Sequence, residues 1–223
     1  MSLPRAPRAV VFDMDGLLFD TETLYRDCMG AAAQAMGAEM PLELYLRMIG
    51  TPWETSRQML LEHFGDAFDL DTLVDTAKHG FKARVSVELC MKAGVVELLD
   101  TLDELGLPRA IATSSGHDSV DHHLSMHGLD GRFHTRVAHG DYQRGKPNPD
   151  PFLTAAERLG IAPTECLALE DSHAGVRAAS AAGMMTIMVP DLLHPTQEMH
   201  DLCVRVAADL HEVERLIRAA VRD

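Results

Sequence analysis

Short, apolar, β-branched runs alternate with amphipathic helical patterns along most of this chain, and this alternation strongly limits how the chain can fold. Five runs predict strands, and each of them stops at polar or helix-breaking residues. These runs are 8–12, 107–112, 135–138, 166–169 and 184–189. Strands that alternate with single helices form right-handed crossovers and pack into a parallel sheet that is covered on both faces. The sequence therefore predicts a doubly wound α/β fold.

The segments that separate these runs carry apolar residues at helical spacing and end at a glycine. Residues 94–105 place Val95, Leu98 and Leu102 on one stripe, and Gly106 stands where a C-terminal helix cap belongs. The same pattern predicts helices over 117–127, 151–159 and 173–182, and the apolar spacing of 209–221 predicts a closing helix.

Residues 17–92 break the alternation because they contain helical patterns and no strand-like run. The helical segments are 21–36, 41–48, 52–64 and 69–90. More than seventy residues are too many for a single crossover between neighbouring strands. We therefore predict a helical cap domain over 17–92, inserted into an α/β core domain made of 1–16 and 93–223.

The charge balance limits the partners of the chain. Its 20 Lys and Arg against 34 Asp and Glu give a net charge of −14, which disfavours binding to nucleic acid and to anionic membranes. The N-terminus lacks the apolar stretch of a secretory signal, and no apolar run is long enough to span a bilayer. We expect a cytoplasmic protein that binds a small anionic substrate only where a metal ion or a lysine reverses the local potential.

Polar residues cluster directly after the predicted strands. The first strand is followed by Asp13 and Asp15, and later strands or loops by Thr113, Lys146 and the pair Glu170-Asp171. The C-terminal ends of parallel strands meet at one edge of the sheet, where ligands bind. We therefore expect four acids, a hydroxyl and a cation to converge on one site.

This set of side chains has the composition of a phosphate site. Carboxylates packed together without a cation would have raised pKa values, and oxygen ligands suit Mg²⁺. We predict that Asp13, Asp15, Glu170 and Asp171 form the metal site. A bound metal and Lys146 would together supply the positive potential that a phosphate group needs.

The same residues suggest a division of catalytic roles. Asp13 is a competent nucleophile toward phosphorus, and Asp15 can protonate the leaving oxygen and later deprotonate the attacking water. Thr113 can donate a hydrogen bond to a phosphoryl oxygen, and Lys146 can stabilise the charge that develops on the phosphoryl group.

Four segments of the sequence resemble the four ordered motifs of the haloacid dehalogenase superfamily. They are 12–22 (FDMDGLLFDTE), 112–116 (ATSSG), 145–150 (GKPNPD) and 169–175 (LEDSHAG). The spacing is similar to the branch with a helical cap, which includes β-phosphoglucomutase, phosphoglycolate phosphatase and pseudouridine 5′-phosphatase. The resemblance implies Asp13 as nucleophile, Asp15 as acid and base, and Thr113 and Lys146 as phosphate ligands. It also implies Mg²⁺ held by Asp13, the Asp15 carbonyl and Asp171, with Glu170 nearby, and a cap that closes over the chemistry.

A Mg²⁺-dependent phosphatase of a small phosphorylated metabolite, such as a sugar phosphate or a nucleoside monophosphate, is the predicted function. Ser114 in the core and Glu22, Tyr25 and Trp53 in the cap are the candidate substrate-binding residues. A monomer is expected, with a weak dimer as the alternative.

Two other functions stay open at this stage. A β-phosphoglucomutase-like phosphomutase would have to bind a second phosphate, and the chain has Tyr25 where we align a cap histidine of those enzymes and Trp53 near the position of their cap arginine. A non-enzymatic phospho-receiver shares the doubly wound fold and the Asp, Thr and Lys chemistry, but it is about half this length, lacks a cap and places its acceptor after a later strand.

The histidines His122, His123 and His127 lie at helical spacing. No third ligand at the spacing of a zinc site accompanies them, so we interpret them as the polar face of a helix.

Overall fold

The computed structural model describes residues 3–51 and 53–222, and these fold into two compact units. One unit is Asp20–Cys90, and the remainder of the described chain forms the other. The predicted cap, residues 17–92, extends beyond this unit by residues 17–19 at its start and by residues 91–92 at its end. Its assignment as a cap domain stays a prediction.

The unit Asp20–Cys90 is built of four helices. They are α1 (Thr21–Ala35), α2 (Leu42–Met48), α3 (Trp53–Phe64) and α4 (Leu70–Glu88). Helix α1 packs against α4, and both helices bury their apolar faces, which include Leu24, Cys28 and Leu73. Asp69 caps α4 by accepting a hydrogen bond from the Thr72 amide at 3.0 Å, which satisfies one of the free amides at the helix start.

The other unit contains a six-stranded, fully parallel sheet. Its strands are β1 (Ala9–Phe12), β2 (Arg109–Ala112), β3 (Thr135–Val137), β4 (Cys166–Glu170), β5 (Met185–Met188) and β6 (Arg205–Val206). The strand order is β3-β2-β1-β4-β5-β6. Strand β1 therefore lies between β2 and β4, and the loops that follow these three strands are neighbours at the C-terminal edge of the sheet.

Helices cover this sheet. They are α5 (Val95–Glu104), α6 (His117–Met126), α7 (Asp150–Leu159), α8 (His173–Ala181), α9 (Gln197–Leu202) and α10 (Leu210–Arg222), with a short 3₁₀ turn at Pro163–Glu165. Helix α10 packs against α5. Strands β1, β2, β4 and β5 consist entirely of buried residues, as expected for a parallel sheet that is covered on both faces.

The predicted doubly wound α/β fold is confirmed, and all five predicted strands are present. The prediction missed β6 and α9. Strand β6 has two residues, Arg205 exposed and Val206 partly buried, so it carries no apolar run that a sequence pattern could detect. No helix of the described residues is both long enough and apolar enough to cross a membrane.

The interpretation of the α6 histidines as a polar face is wrong for His123. Its side chain is buried, with only 3% of the residue exposed, and its ring packs in a T-shaped arrangement with the Phe19 ring, with 5.7 Å between the ring centroids. His127 stacks on the same ring, with 5.1 Å between the ring centroids. Two of the three histidines thus pack against the loop that follows β1.

Candidate active site

The loop after β1 supplies the first residues of the candidate site. The Asp13 amide donates to the Leu169 carbonyl at 2.9 Å, so Asp13 continues the pairing of β1 with β4 and lies beside the end of that strand. Gly16 follows in a turn with a φ of +83°, and a Cβ at this position would lie 2.9 Å from Asp171 Cγ. Only glycine combines this backbone conformation with such a close approach, so Gly16 allows the loop to reach Asp171.

Lys146 connects Asp13, after β1, with Glu170, at the end of β4. Its ammonium group donates to Asp13 Oδ1 and, at 2.6 Å, to Glu170 Oε1. The Lys146 side chain is 7% exposed, and that of Glu170 is fully buried. Asp13 lies 133 positions before Lys146 in the chain, so the fold alone brings it to Lys146 and Glu170.

Burial controls the electrostatics of this group. Burial raises the pKa of Asp13 well above the usual range of an aspartate, although Lys146 opposes the shift. Burial by itself would lower the pKa of Lys146, but the charges of Asp13 and Glu170 outweigh it and raise that pKa. Lys146 therefore stays protonated at neutral pH, and an additional cation at the site would favour the ionised form of Asp13.

Asp15 is held by two hydroxyl groups. Its Oδ2 atom accepts hydrogen bonds from Thr113 Oγ1 at 3.2 Å and from Ser115 Oγ at 2.7 Å. The loop after β2 thus fixes the orientation of the Asp15 carboxylate. Sequence reasoning named Thr113 but missed Ser115, although it lies in the same 112–116 motif. It selected Ser114, which is exposed.

Glu170 is fully engaged by hydrogen bonds. While Oε1 receives Lys146, Oε2 accepts from the Asp171 amide at 3.0 Å, the Ser172 amide at 3.1 Å and Ser172 Oγ at 3.0 Å. The side chain therefore ties Lys146 to the start of α8. A Cβ at Gly175, in the first turn of α8, would overlap the Glu170 carboxylate, so the absence of a side chain there makes room for it.

Three of the predicted metal ligands could hold a cation. Oxygen atoms of Asp13, Glu170 and Asp171 all lie within 4.8 Å of one another, and all three residues are buried. Buried carboxylates of like charge require protons or a cation, and Mg²⁺ binds oxygen ligands of this kind. The donor set fits a divalent cation.

The candidate cap residues lie in the helical unit, where they line one cavity of about 210 Å³. Glu22, Tyr25 and Trp53 are among its walls, together with Tyr45, Met48 and Ile49. The Tyr45 hydroxyl donates to Glu22 Oε2 at 3.1 Å, and burial, followed by the nearby Glu22 charge, raises the pKa of Tyr45. Among the described residues that line the cavity there is no lysine, arginine or histidine.

Comparison with known proteins agrees with the motifs. The family described as haloacid dehalogenase-like hydrolase matches residues 10–189. A Drosophila melanogaster protein named "Probable pseudouridine-5'-phosphatase" is 35% identical over 192 residues, which are 81% of this chain and 80% of the relative. The phosphorylated carbohydrates phosphatase of Thermotoga maritima is 33% identical over 183 residues, which are 80% of this chain and 83% of that protein.

A solved structure shares the fold over nearly the whole length. It is the crystal structure of a HAD family hydrolase from Deinococcus radiodurans R1 with bound phosphate and sodium, which superimposes with a TM-score of 0.82. The match covers 97% of each chain at 26% sequence identity.

Proposed function

Since the chain belongs to the haloacid dehalogenase-like hydrolase family and is a phosphatase of small phosphorylated metabolites, we propose that it depends on Mg²⁺ and works through a phospho-aspartate. One observation carries this proposal. Lys146 contacts Asp13 and Glu170, while Asp171 lies within 4.8 Å of both acids. A potential nucleophile, a lysine cation and a set of candidate metal ligands therefore share one buried group.

In the first half-reaction the Asp13 carboxylate attacks the phosphorus atom. A bond forms between a carboxylate oxygen and phosphorus, and the ester bond to the leaving oxygen breaks. Asp15 gives its proton to that oxygen, so the alcohol leaves neutral. Thr113 and Lys146 bind the phosphoryl oxygens, and Lys146 offsets their growing negative charge.

In the second half-reaction water attacks the acyl phosphate on Asp13. Asp15, now ionised, takes a proton from the water, and the bond between phosphorus and the Asp13 oxygen breaks. Inorganic phosphate leaves, the Asp13 carboxylate is restored, and Asp15 again holds a proton. The contacts of Asp15 with Thr113 and Ser115 support this use of one group as acid and then as base.

We assign the metal to Asp13, Asp171 and the carbonyl of Asp15, with Glu170 as a supporting acid, because both Glu170 oxygens are already engaged. A bound Mg²⁺ would reduce the repulsion between the anionic nucleophile and the anionic phosphate. The residues themselves bind and orient the substrate and move the proton.

The cavity of the helical unit supports hydrolysis over phosphoryl transfer between two positions of a sugar. A phosphomutase must bind a second phosphate, and the described lining of the cavity supplies the acid Glu22 and no cation. We propose that Glu22, Tyr25 and Trp53 bind the uncharged, hydroxyl-bearing part of the substrate, and that Ser114 contributes to its binding. We also propose that the active form is a monomer.

Phosphate release from a panel of sugar phosphates and nucleoside monophosphates tests the activity. We expect turnover with MgCl₂, none with excess chelator, and a loss of about 10⁴-fold or more in Asp13→Asn. Asp75→Asn, an exposed change on α4, is the matched control and should keep full activity.

Chemical trapping tests whether a phospho-aspartate forms on Asp13. Hydroxylamine added during turnover should convert Asp13 into a hydroxamate that mass spectrometry locates. Undiminished turnover in Asp13→Asn, or full activity in chelator, would contradict the proposal.

A further inference from the structure

Asp191 is an acid with a buried side chain that the proposed mechanism does not use. It lies three residues after β5, next in the sheet to β4, which carries Glu170. The Val189 amide donates to the Glu170 carbonyl at 2.7 Å, so the chain leaving β5 starts beside the metal-site acids. The Asp191 side chain is 7% exposed.

The two oxygens of Asp191 have different surroundings. Oδ1 accepts a hydrogen bond from the Lys92 ammonium at 2.6 Å. Oδ2 is buried and has no hydrogen-bond partner among the described residues. A buried carboxylate oxygen without a partner costs free energy, and a water molecule or a hydrated ion can satisfy it.

Asp191 Oδ2 and the Asp171 carboxylate both approach Gly16. The point that a Gly16 Cβ would occupy is 3.3 Å from Asp191 Oδ2 and 2.9 Å from Asp171 Cγ. The two carboxylates therefore approach the same point, so a cation held by Asp171 would lie near Asp191 Oδ2 as well.

Backbone pairing holds Lys92, the partner of Asp191, in place. The Lys92 amide donates to the Leu18 carbonyl at 2.9 Å, and Met91 forms a bridge with Phe19. Lys92 is thereby fixed to the same loop that carries Gly16. It holds Oδ1, while Oδ2 lies near the point beside Gly16 that Asp171 also approaches.

We propose that Asp191 is a further positioning residue of the metal site, which uses Oδ2 to bind the hydration shell of the divalent cation held by Asp13 and Asp171. This inference rests on the proposed function, because it requires the metal site. The ligand is a hydrated divalent cation, and Lys92 pairs with the other oxygen of the same acid.

Titration of MgCl₂ into the full-length protein, followed by isothermal titration calorimetry, tests this role without reference to activity. Asp191→Asn removes the charge and keeps the shape, and we expect it to weaken Mg²⁺ binding about tenfold, as outer-shell substitutions do. Asp103→Asn is the matched control, because it also removes an aspartate from an ion pair. Its partner Arg109 lies at the start of β2, away from the C-terminal edge of the sheet. Asp103→Asn should leave Mg²⁺ affinity unchanged.

Lys92→Gln separates metal binding from a purely structural ion pair. It breaks the same pair as Asp191→Asn, yet it keeps the carboxylate and removes a positive charge near the cation. Mg²⁺ should bind as tightly as to the wild type or more tightly. An equal loss of affinity in both variants would overturn the proposal, and so would an unchanged affinity in Asp191→Asn. If Asp191→Asn does not fold, the direction of the Lys92→Gln change still decides the question.

Asp171→Asn tests the underlying metal site in the same experiment. Loss of Mg²⁺ binding in Asp171→Asn, with wild-type affinity in Asp191→Asn, would refute the role of Asp191 and leave the proposed function intact. If the wild type itself binds no Mg²⁺, both the metal site and the role of Asp191 are refuted.

Discussion

Gly175 approaches the Glu170 carboxylate so closely that a Cβ at Gly175 would overlap both carboxylate oxygens. Glu170 cannot move aside freely, because Lys146 and the start of α8 hold it through four hydrogen bonds. Gly175→Ala should therefore lower the free energy of unfolding by about 1–3 kcal/mol, as overpacking does, and displace Lys146. Chemical denaturation and phosphatase assays measure the two effects.

The control for this substitution is Gly30→Ala, in the interior of α1. A Cβ there meets nothing within 4 Å, so alanine should stabilise the protein by about 0.5–1 kcal/mol through its better helix propensity. Equal stability changes in the two variants would contradict the close contact between Gly175 and Glu170.

Lys146→Met should destabilise the protein and abolish activity. It leaves Asp13 and Glu170 buried without their cation, and removal of one partner of a buried ion pair costs about 3–5 kcal/mol. The loss in the free energy of unfolding should become smaller when MgCl₂ is added, because the metal replaces part of the lost positive charge. Urea unfolding with and without MgCl₂ checks this, with Lys78→Met on the exposed face of α4 as the control. If Lys146→Met loses the same stability with and without MgCl₂, Lys146 and the metal do not act on the same buried acids.

Mg²⁺ affinity should rise with pH. Burial raises the pKa of Asp13 in the metal-free protein, and the metal binds the ionised carboxylate, so binding releases a proton. Calorimetry at several pH values, in buffers with different ionisation enthalpies, measures both the affinity and the proton. By the same shift, the metal-free folded state binds more protons than the unfolded state, so this group lowers the free energy of unfolding as the pH rises. If Mg²⁺ affinity does not depend on pH and no proton is released, the prediction of a raised pKa for Asp13 is contradicted.

Ser115→Ala should lower kcat about tenfold and leave KM nearly unchanged. The substitution removes the 2.7 Å hydrogen bond to Asp15, and the loss of one such bond to a charged group corresponds to about 1.5 kcal/mol. Steady-state kinetics on the best substrate of the panel gives both constants. Ser119→Ala, exposed on α6, should behave like the wild type. A rise in KM alone would indicate a binding role for Ser115 in place of a role in orienting Asp15.

Much of the architecture could be predicted because it depends on local patterns. The buried strands β1, β2, β4 and β5 are apolar runs that end at polar residues, and the spacing of apolar residues in α5 is visible in the chain. The order of the motifs identified the family for the same reason. The predicted roles of the site residues depend on proximity, and they stay predictions until they are tested.

Tertiary structure decided which neighbours each polar side chain meets. Adjacent residues of one motif diverge, so that Ser115 bonds to Asp15 while Ser114 is exposed. His123 belongs to a sequence that reads as polar, yet it is buried against Phe19. Asp191 has no motif of its own, and only the adjacency of β5 to β4 brings it to Asp171. A linear pattern reports the periodicity of burial, whereas the partners of a buried charge depend on strand order and loop packing, which are set by contacts between residues far apart in the chain.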